Sequence, residues 1–378
     1  MTTKAIVRIH VEGFRSLRDV TLEPGRVTVL IGPNGAGKSN LLSFLRMIPL
    51  MHTGALRAYV GRQGGASAVL HYGPQRTPGL GFRIDFTQED TRNSYSAELS
   101  YAQDDQLVFV SEEAGHTGAG QREERTTVID AGHRESSLRR VAKDSGHPTL
   151  RTVDWWLGRI TFYHFHDTSW TSPLRQNSPG ADDRFLRSDG KNLATFLYRL
   201  MRSEDAGDKA AWRRINLLTR RVAPSVVELM PEPVNPHDPP DAPTSVSLRW
   251  RDDQGQIFGV GDLSDGTLRA IALIAALAQP AATLPLFLSI DEPELGLHPS
   301  AISLLVSLIR SVSVRCQVLL ATQSPALLDY FQPEEVVVVE RRDGATTLRR
   351  LVAADLAEWL RDYSLSELLD KNVLEGRP

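Results

Sequence analysis

A chain of 378 residues, 41% of them hydrophobic and 24% charged, can bury a large core and has room for two domains or for one domain with a big insertion. Its formal net charge of −3 excludes a global basic field, so any affinity for nucleic acid or anionic membrane must come from local patches. The single cysteine, Cys316, excludes a disulfide framework and favours a reducing cytoplasm. The stretch Met1–Phe14 alternates polar and apolar residues, which is not the pattern of a secretion signal. No apolar run approaches the roughly 18 residues that span a bilayer, so a cytoplasmic protein without a membrane segment is expected.

In chain order, residues 4–11 and 26–31 read as strands, with a turn at Glu23-Pro24-Gly25 before the second. The second strand ends at Gly32, and a helix is expected from about Gly37 to Ile48. From Thr53 to Gly81 the chain is Gly-rich with few periodic apolar positions. Alternation over 81–86, 94–102 and 106–113 predicts an antiparallel sheet, and the polar, Gly-rich stretch Ala114–Arg125 is expected to be mobile. A strand is predicted over 159–165, and helices over 192–202 and 209–222. Residues 224–243 carry seven prolines and read as an extended linker. Residues 245–251 and 256–260 form a predicted hairpin about Asp252-Asp253-Gln254-Gly255. Beyond Leu263 the pattern becomes helix–strand alternation. A buried helix over 267–279 precedes a buried strand over 284–290. A helix over 299–312 follows, with Pro near its first turn, then strands over 316–321 and 336–340. The first 48 or so residues and the last 115 or so thus read as halves of one α/β domain, with the rest inserted.

The segment Gly32–Ser39, GPNGAGKS, stands between a strand and a helix, which is the context a phosphate-binding loop requires. Its glycines let backbone N–H groups converge on phosphates, and the helix N-terminus adds its dipole. Lys38 is placed to bridge the β- and γ-phosphates of ATP, and the Ser39 hydroxyl to ligate Mg²⁺. The apolar strand over 284–290 ends in two carboxylates. Asp291 is expected to hold Mg²⁺ or its water, and Glu292 to polarise the attacking water as general base. The segment LSDGT, Leu263–Thr267, presents a Ser hydroxyl and a helix N-terminus, which suits either a helix cap or an anion.

In this order the three segments resemble the heads of ABC-type ATPases, in which the LSGGQ-like loop of one subunit touches the γ-phosphate held by the other. Ser264, Asp265 and Gly266 would play that part, with Asp265 in place of the usual first glycine. HVEGFRSLRDVTLEPGRVTVLIGPNGAGKSNLL resembles the N-terminus of SMC/RecF/OLD-type ATPases, where a "nFRs" turn precedes the phosphate loop. DEPELGLHP resembles the Walker B segment and D-loop of that group. With YHFHDTS, LSDGTLRAIALIAAL and DYSLSELL, the chain is similar to the stand-alone bacterial RecF-like ATPases of the AAA_21 class. The resemblance implies an α/β fold, a P-loop NTPase head of ABC type with an inserted antiparallel β-sheet and a helical subdomain. The expected division is a head of 1–48 and 261–378, a β-rich lobe of 49–165, and a helical subdomain of 166–260 with a Pro-rich linker and hairpin.

The resemblance also implies the site. Gly32, Pro33, Asn34, Gly35, Ala36, Gly37, Lys38, Ser39 and Asn40 would hold ATP, joined by Arg15 and by Ser264, Asp265 and Gly266. Ser39 and Asp291 would hold Mg²⁺, and Glu292, Lys38 and Gln323 would carry catalysis. Gln323, in ATQSP, takes the place of the usual switch His. Its amide can donate to a γ-phosphate but cannot titrate at neutral pH, so it would be a sensor rather than a proton shuttle. No Q-loop glutamine is evident, and the run His164–Ser169 occupies its place. His164 and His166 read as loop or core residues rather than metal ligands. The basic pairs of the chain read as solvated faces, with Arg213, Arg214, Arg220 and Arg221 as a candidate ridge that tracks phosphates. The amphipathic stretch over 357–372 packs onto the head or docks a partner.

The expected function is an ATPase whose ATP-driven head dimerisation, extending to higher oligomers, serves DNA repair or antiphage defence. Its effector, such as a nuclease, would be a separate protein, and DNA a further partner. The rival is the nucleotide-binding subunit of an ABC transporter, which the 223 residues between Ser39 and Leu263 disfavour. A nucleotide-binding regulator with negligible turnover is the third alternative.

Overall fold

The computed structural model describes residues 4–371, 373 and 374. Strand β1 (Lys4–Phe14) turns into β2 (Leu17–Leu22), and β3 (Val27–Ile31) runs through a glycine loop into α1 (Lys38–His52). Helices α2 (Leu56–Arg62) and α3 (Ala66–Val69) precede β4 (Gly79–Gln88), β5 (Thr91–Ala102), β6 (Gln106–Thr117) and β7 (Arg125–Val128). Next come α4 (Leu138–Ser145), α5 (Pro148–Leu157), β8 (Ile160–Tyr163), β9 (Ser178–Pro179), α6 (Leu193–Arg202) and α7 (Ala206–Val222). They are followed by β10 (Glu228–Pro233), β11 (Ser245–Arg251), β12 (Ile257–Gly259) and α8 (Asp265–Ala278). The chain closes with β13 (Phe287–Asp291), α9 (Pro299–Ser313), β14 (Gln317–Thr322), α10 (Pro325–Leu328), β15 (Val336–Arg342), β16 (Ala345–Arg350) and α11 (Leu365–Asp370).

These elements fall into two compact units. The first takes the described chain up to Phe162, Leu286–Asp291, and everything from Gln317 onward; the second takes Tyr163–Pro285 and Glu292–Cys316. The boundary expected after residue 48 falls within α1, and one sheet of the first unit, ordered β2-β1-β4-β5-β6-β7, joins strands from both sides of it. The tails 1–3, 372 and 375–378 of the expected head lie outside the described residues.

In the first unit β3 and β14 are buried along their whole length, which is why they read as continuous apolar runs rather than alternating ones. They form the middle of a sheet ordered β16-β15-β3-β14-β13-β8, with β15, β3, β14 and β13 parallel and β16 antiparallel at the edge. The antiparallel sheet buries alternate residues of β4, as a sheet with one covered face does. Residues of both sheets and of α1 belong to one core. Phe44 of α1 meets Phe14 and Phe82 edge-on, at 5.7 and 5.5 Å between ring centroids. The buried Gln317 side chain ties the two sheets, accepting from the Ile6 N–H at 2.6 Å and donating to the Ile6 carbonyl at 2.9 Å.

Two expectations for this unit are corrected. The Gly-rich stretch after Thr53 holds α2 and α3, because Leu56, Tyr59, Val60, Ala66 and Val69 supply a buried face too short to register as a period. The stretch Ala114–Arg125 is tied down: β6 runs on to Thr117, and Glu124 accepts from Arg83 at 2.7 Å and Ser94 at 2.5 Å. Arg83, foremost, and Ser94 hold the Glu124 carboxyl below its usual range against the opposing effect of burial.

In the second unit α8 is buried continuously from Leu268 to Ala278, among α6, α7 and α9. Asp205 caps α7 by accepting from Gly207 and Asp208. The proline-rich linker is a further correction. Within it β10 pairs with β11, with Pro231 opposite Leu248 and Pro233 opposite Val246. Proline lacks the N–H a central strand must donate, and β10 sits at an end of its sheet, where one side needs no donor.

Candidate functional site

The first unit gathers three of the expected segments at the carboxyl end of one sheet. Ile31, the last residue of β3, lies beside Thr322 of β14, and Ala321 lies beside Asp291 of β13. Gly32, Gln323 and Asp291 therefore stand at the carboxyl ends of three adjacent parallel strands, where ligands of open α/β sheets bind.

The loop itself shows why its glycines are needed. A Cβ on Gly32 would stand 2.1 Å from the Val339 carbonyl of β15. Gly37 has φ of 115°, and a Cβ there would meet the Thr346 hydroxyl at 1.9 Å. Helix α1 starts directly after Gly37 with no side-chain cap and no acidic residue in its first turn. Such an end carries the positive end of the helix dipole. Lys38 is only 7% exposed, and its ammonium donates to the carbonyls of Gly32 and Pro33, the latter at 3.1 Å. Ser39 is exposed and Gln323 likewise.

A hydrogen-bonded buttress backs this loop. Thr346 of β16 donates to the Ala36 carbonyl at 3.0 Å, Ser16 lies 2.7 Å from Thr346, and Asn40 donates to Ser16 at 2.7 Å. Arg15 takes the left-handed conformation at φ 49°, and its guanidinium donates to Ser43 of α1 at 3.3 Å and to Gln63. Beside it opens a cleft of about 410 Å³, lined in part by Arg15, Ser16, Asn40, Tyr72 and Arg341. The sequence reading singled out Arg15 from the FRS turn and missed Ser16, whose role depends on a threonine outside any motif.

The second unit holds the remaining segments. Ser264 caps α8, accepting from the Thr267 N–H at 3.2 Å, and is exposed. Gly266 packs so closely on the loop after Glu292 that a Cβ would stand 2.4 Å from the Gly296 carbonyl. Arg269, one turn on, donates to the carbonyls of Phe165 at 3.0 Å, His166 at 2.7 Å and Leu295. Burial lowers its pKa, against the fields of Asp265 and Glu292. Glu292 itself adopts φ of 37°, unusual for a residue with a side chain. The run His164–Ser169 thus serves the LSDGT helix through its backbone, and the His164 and His166 rings lie 4.4 Å apart. Arg269 was not singled out from sequence, because an arginine that serves distant carbonyls leaves no local pattern.

The AAA_21 family, described as "AAA domain, putative AbiEii toxin, Type IV TA system", matches residues 27–329. The chain belongs to this family. No curated protein matches it. Among solved structures, this AAA_21 chain is similar to the SMC head bound to the C-terminal winged-helix domain of ScpA. The TM-score is 0.55 at 16% identity, over 93% of this chain and 99% of that one. An SMC head with an extended coiled coil from Pyrococcus furiosus, bound to the C-terminal domain of ScpA, gives 0.55 at 15% identity, over 95% and 99%. The SMC head domain from Thermotoga maritima gives 0.50 at 11% identity, over 92% and 99%. The fold is that of the P-loop ATPase heads of the SMC/RecF-like group. No helix among the described residues is long and apolar enough to cross a membrane.

Proposed function

We propose that this AAA_21 protein binds and hydrolyses ATP, and that ATP joins two copies head to head. The observation that carries the reading is the alignment of Gly32, Gln323 and Asp291 on adjacent strand ends of one sheet. In this reading the loop from Gly32 to Asn40 wraps the phosphates and Lys38 leaves its own loop carbonyls for the β- and γ-oxygens. Arg15, in the cleft it lines, would approach the nucleotide. Ser39 and Asp291 offer one hydroxyl and one carboxylate, a hard oxygen donor set that fits Mg²⁺. When bound, that ion would neutralise charge on the phosphates. Glu292 takes the proton of the attacking water, and Gln323 donates its amide to the γ-phosphate. Ser264 through its hydroxyl, and Asp265 and Gly266 through their backbone N–H groups at the start of α8, complete the partner copy's site, so that hydrolysis releases the pair.

The test is Glu292→Gln with ATP and Mg²⁺, followed by light scattering. A stable ATP-bound dimer is expected; a wild-type monomer with full ATPase activity would sink the shared-site reading. The family description names a toxin of a type IV toxin–antitoxin system, which is compatible with a defence role; the separate effector is part of the proposed reading. Arg213, Arg214, Arg220 and Arg221 are all exposed on α7, around the exposed Leu217, and supply the proposed DNA contact. Stimulation of ATPase by DNA ends that disappears when these arginines become Gln checks that contact.

A further inference from the structure

The LSDGT segment poses a problem of charge. Asp265 is the first residue of α8, directly after the Ser264 cap, so its carboxylate stands at the helix end that the reading above gives to a phosphate. A carboxylate free to turn over that end would satisfy the first N–H groups itself and repel an incoming anion.

The structure turns it elsewhere. Arg175 Nη2 donates to Asp265 Oδ1 at 2.8 Å and to the Leu263 carbonyl at 3.0 Å. Its Nη1 donates to the carbonyls of Val260 and Gly261, at 2.9 and 3.1 Å, and its Nε to that of Thr168 at 2.8 Å. A guanidinium has five N–H donors, so all five are engaged. The Arg175 side chain is 8% exposed, whereas that of Asp265 is 70% exposed. The arrangement is therefore a buried fork that reaches out to hold one carboxylate at the surface. The Arg175 hydrogen bond, foremost, together with Thr168 and the fields of Arg175 and Arg269, keeps the Asp265 carboxyl below its usual range. The exposed Trp170 covers the fork, its ring centroid 5.8 Å from the guanidinium and its edge against Gly261.

We propose that Arg175 is a positioning residue of the ATPase: it holds the Asp265 carboxylate off the N-terminus of α8, leaving Ser264 and the first N–H groups for the partner copy's γ-phosphate. The inference rests on the shared-site reading. It gives the aspartate that replaces a glycine in this loop a built-in counterpart, and it makes Arg175 needed only while Asp265 is present. Lysine cannot substitute, since an ammonium lacks the planar fork that meets four carbonyls and a carboxylate at once.

The test is a cycle on the full chain with Mg²⁺ and ATP. Arg175→Ala is expected to lower kcat by about a hundredfold, the scale of losing a phosphate-facing donor. Binding of a fluorescent ATP analogue to the single copy should stay unchanged. Adding Asp265→Gly to Arg175→Ala is expected to restore kcat to within about threefold of wild type, a non-additivity that lost folding cannot mimic. Wild-type kcat in Arg175→Ala overturns the proposal, as does a folded double variant no faster than the single one. If Arg175→Ala does not fold, Asp265→Asn decides: kcat at or above wild type supports the proposal, and a tenfold or greater loss (about 1.4 kcal/mol) in a folded protein overturns it. Failure of the shared-site reading looks different. The Glu292→Gln dimer would then not form, and both would fall; with that dimer intact, a normal Arg175→Ala overturns this inference alone.

Discussion

The Ser16 and Thr346 hydroxyls lie 2.7 Å apart although 330 residues of sequence separate them. The Thr346 N–H also donates to the Ser16 carbonyl at 2.7 Å. Because Thr346 gives its hydroxyl proton to Ala36, Ser16 donates to Thr346 and accepts from Asn40. The turn after β1, the edge strand β16 and the Gly32–Gly37 loop are thereby one hydrogen-bonded piece.

Thr346→Val keeps the shape and removes both hydroxyl bonds. Stability should fall by about 1–2 kcal/mol, read from denaturant midpoints, since each net bond is worth about 1 kcal/mol. ATP affinity should fall as well, because the lost partner is the loop carbonyl of Ala36. Unchanged affinity in a destabilised variant would confine the buttress to a structural role.

Glu292 holds its left-handed backbone at a cost of about 1–2 kcal/mol that glycine does not incur. Glu292→Gly is expected to be more stable than Glu292→Ala by roughly that amount, while neither turns over ATP. Equal urea midpoints for the two variants would show that the conformation is not strained.

Gly266→Ala drives a Cβ to 2.4 Å from the Gly296 carbonyl. The first turn of α8 and the loop after Glu292 must then part. We expect a loss of ATPase activity with no change in binding of a nucleotide analogue to the single copy. Equal loss of binding and turnover would place the damage in the first unit and refute this coupling.

Tyr163 is buried, and burial raises its pKa strongly, while Gln279 donates to its hydroxyl at 3.1 Å. The unfolded phenol ionises near its model value of 10.0, so above that pH the folded state holds the proton that the unfolded state has released. Stability from this group is therefore complete below about pH 10 and is lost as pH rises above it. Tyr163→Phe should flatten that alkaline fall, measured by denaturation from about pH 8 to about pH 11. An equally steep fall in the variant would assign the alkaline limb to other groups.

The nucleotide loop, the paired carboxylates Asp291 and Glu292, and the apolar strands flanking them were legible in the sequence because each is a contiguous pattern. A strand buried on both faces must be apolar throughout, and a loop at a helix N-terminus needs glycine where neighbouring backbone comes within van der Waals range. Helices α2 and α3 and the proline-bearing β10 were not legible. The two helices are short and stabilised by packing rather than period, and β10 is tolerated only because it lies at a sheet edge.

Sequence alone therefore determined which residues stand at the carboxyl ends of β3 and β13. Tertiary structure alone decided what holds the loop after β3 and the aspartate at the start of α8 in place. Ser16 meets Thr346 across 330 residues, and Arg175 meets Asp265 across 90. A hydrogen bond needs its partners within about 3 Å in space, and no spacing along the chain encodes that.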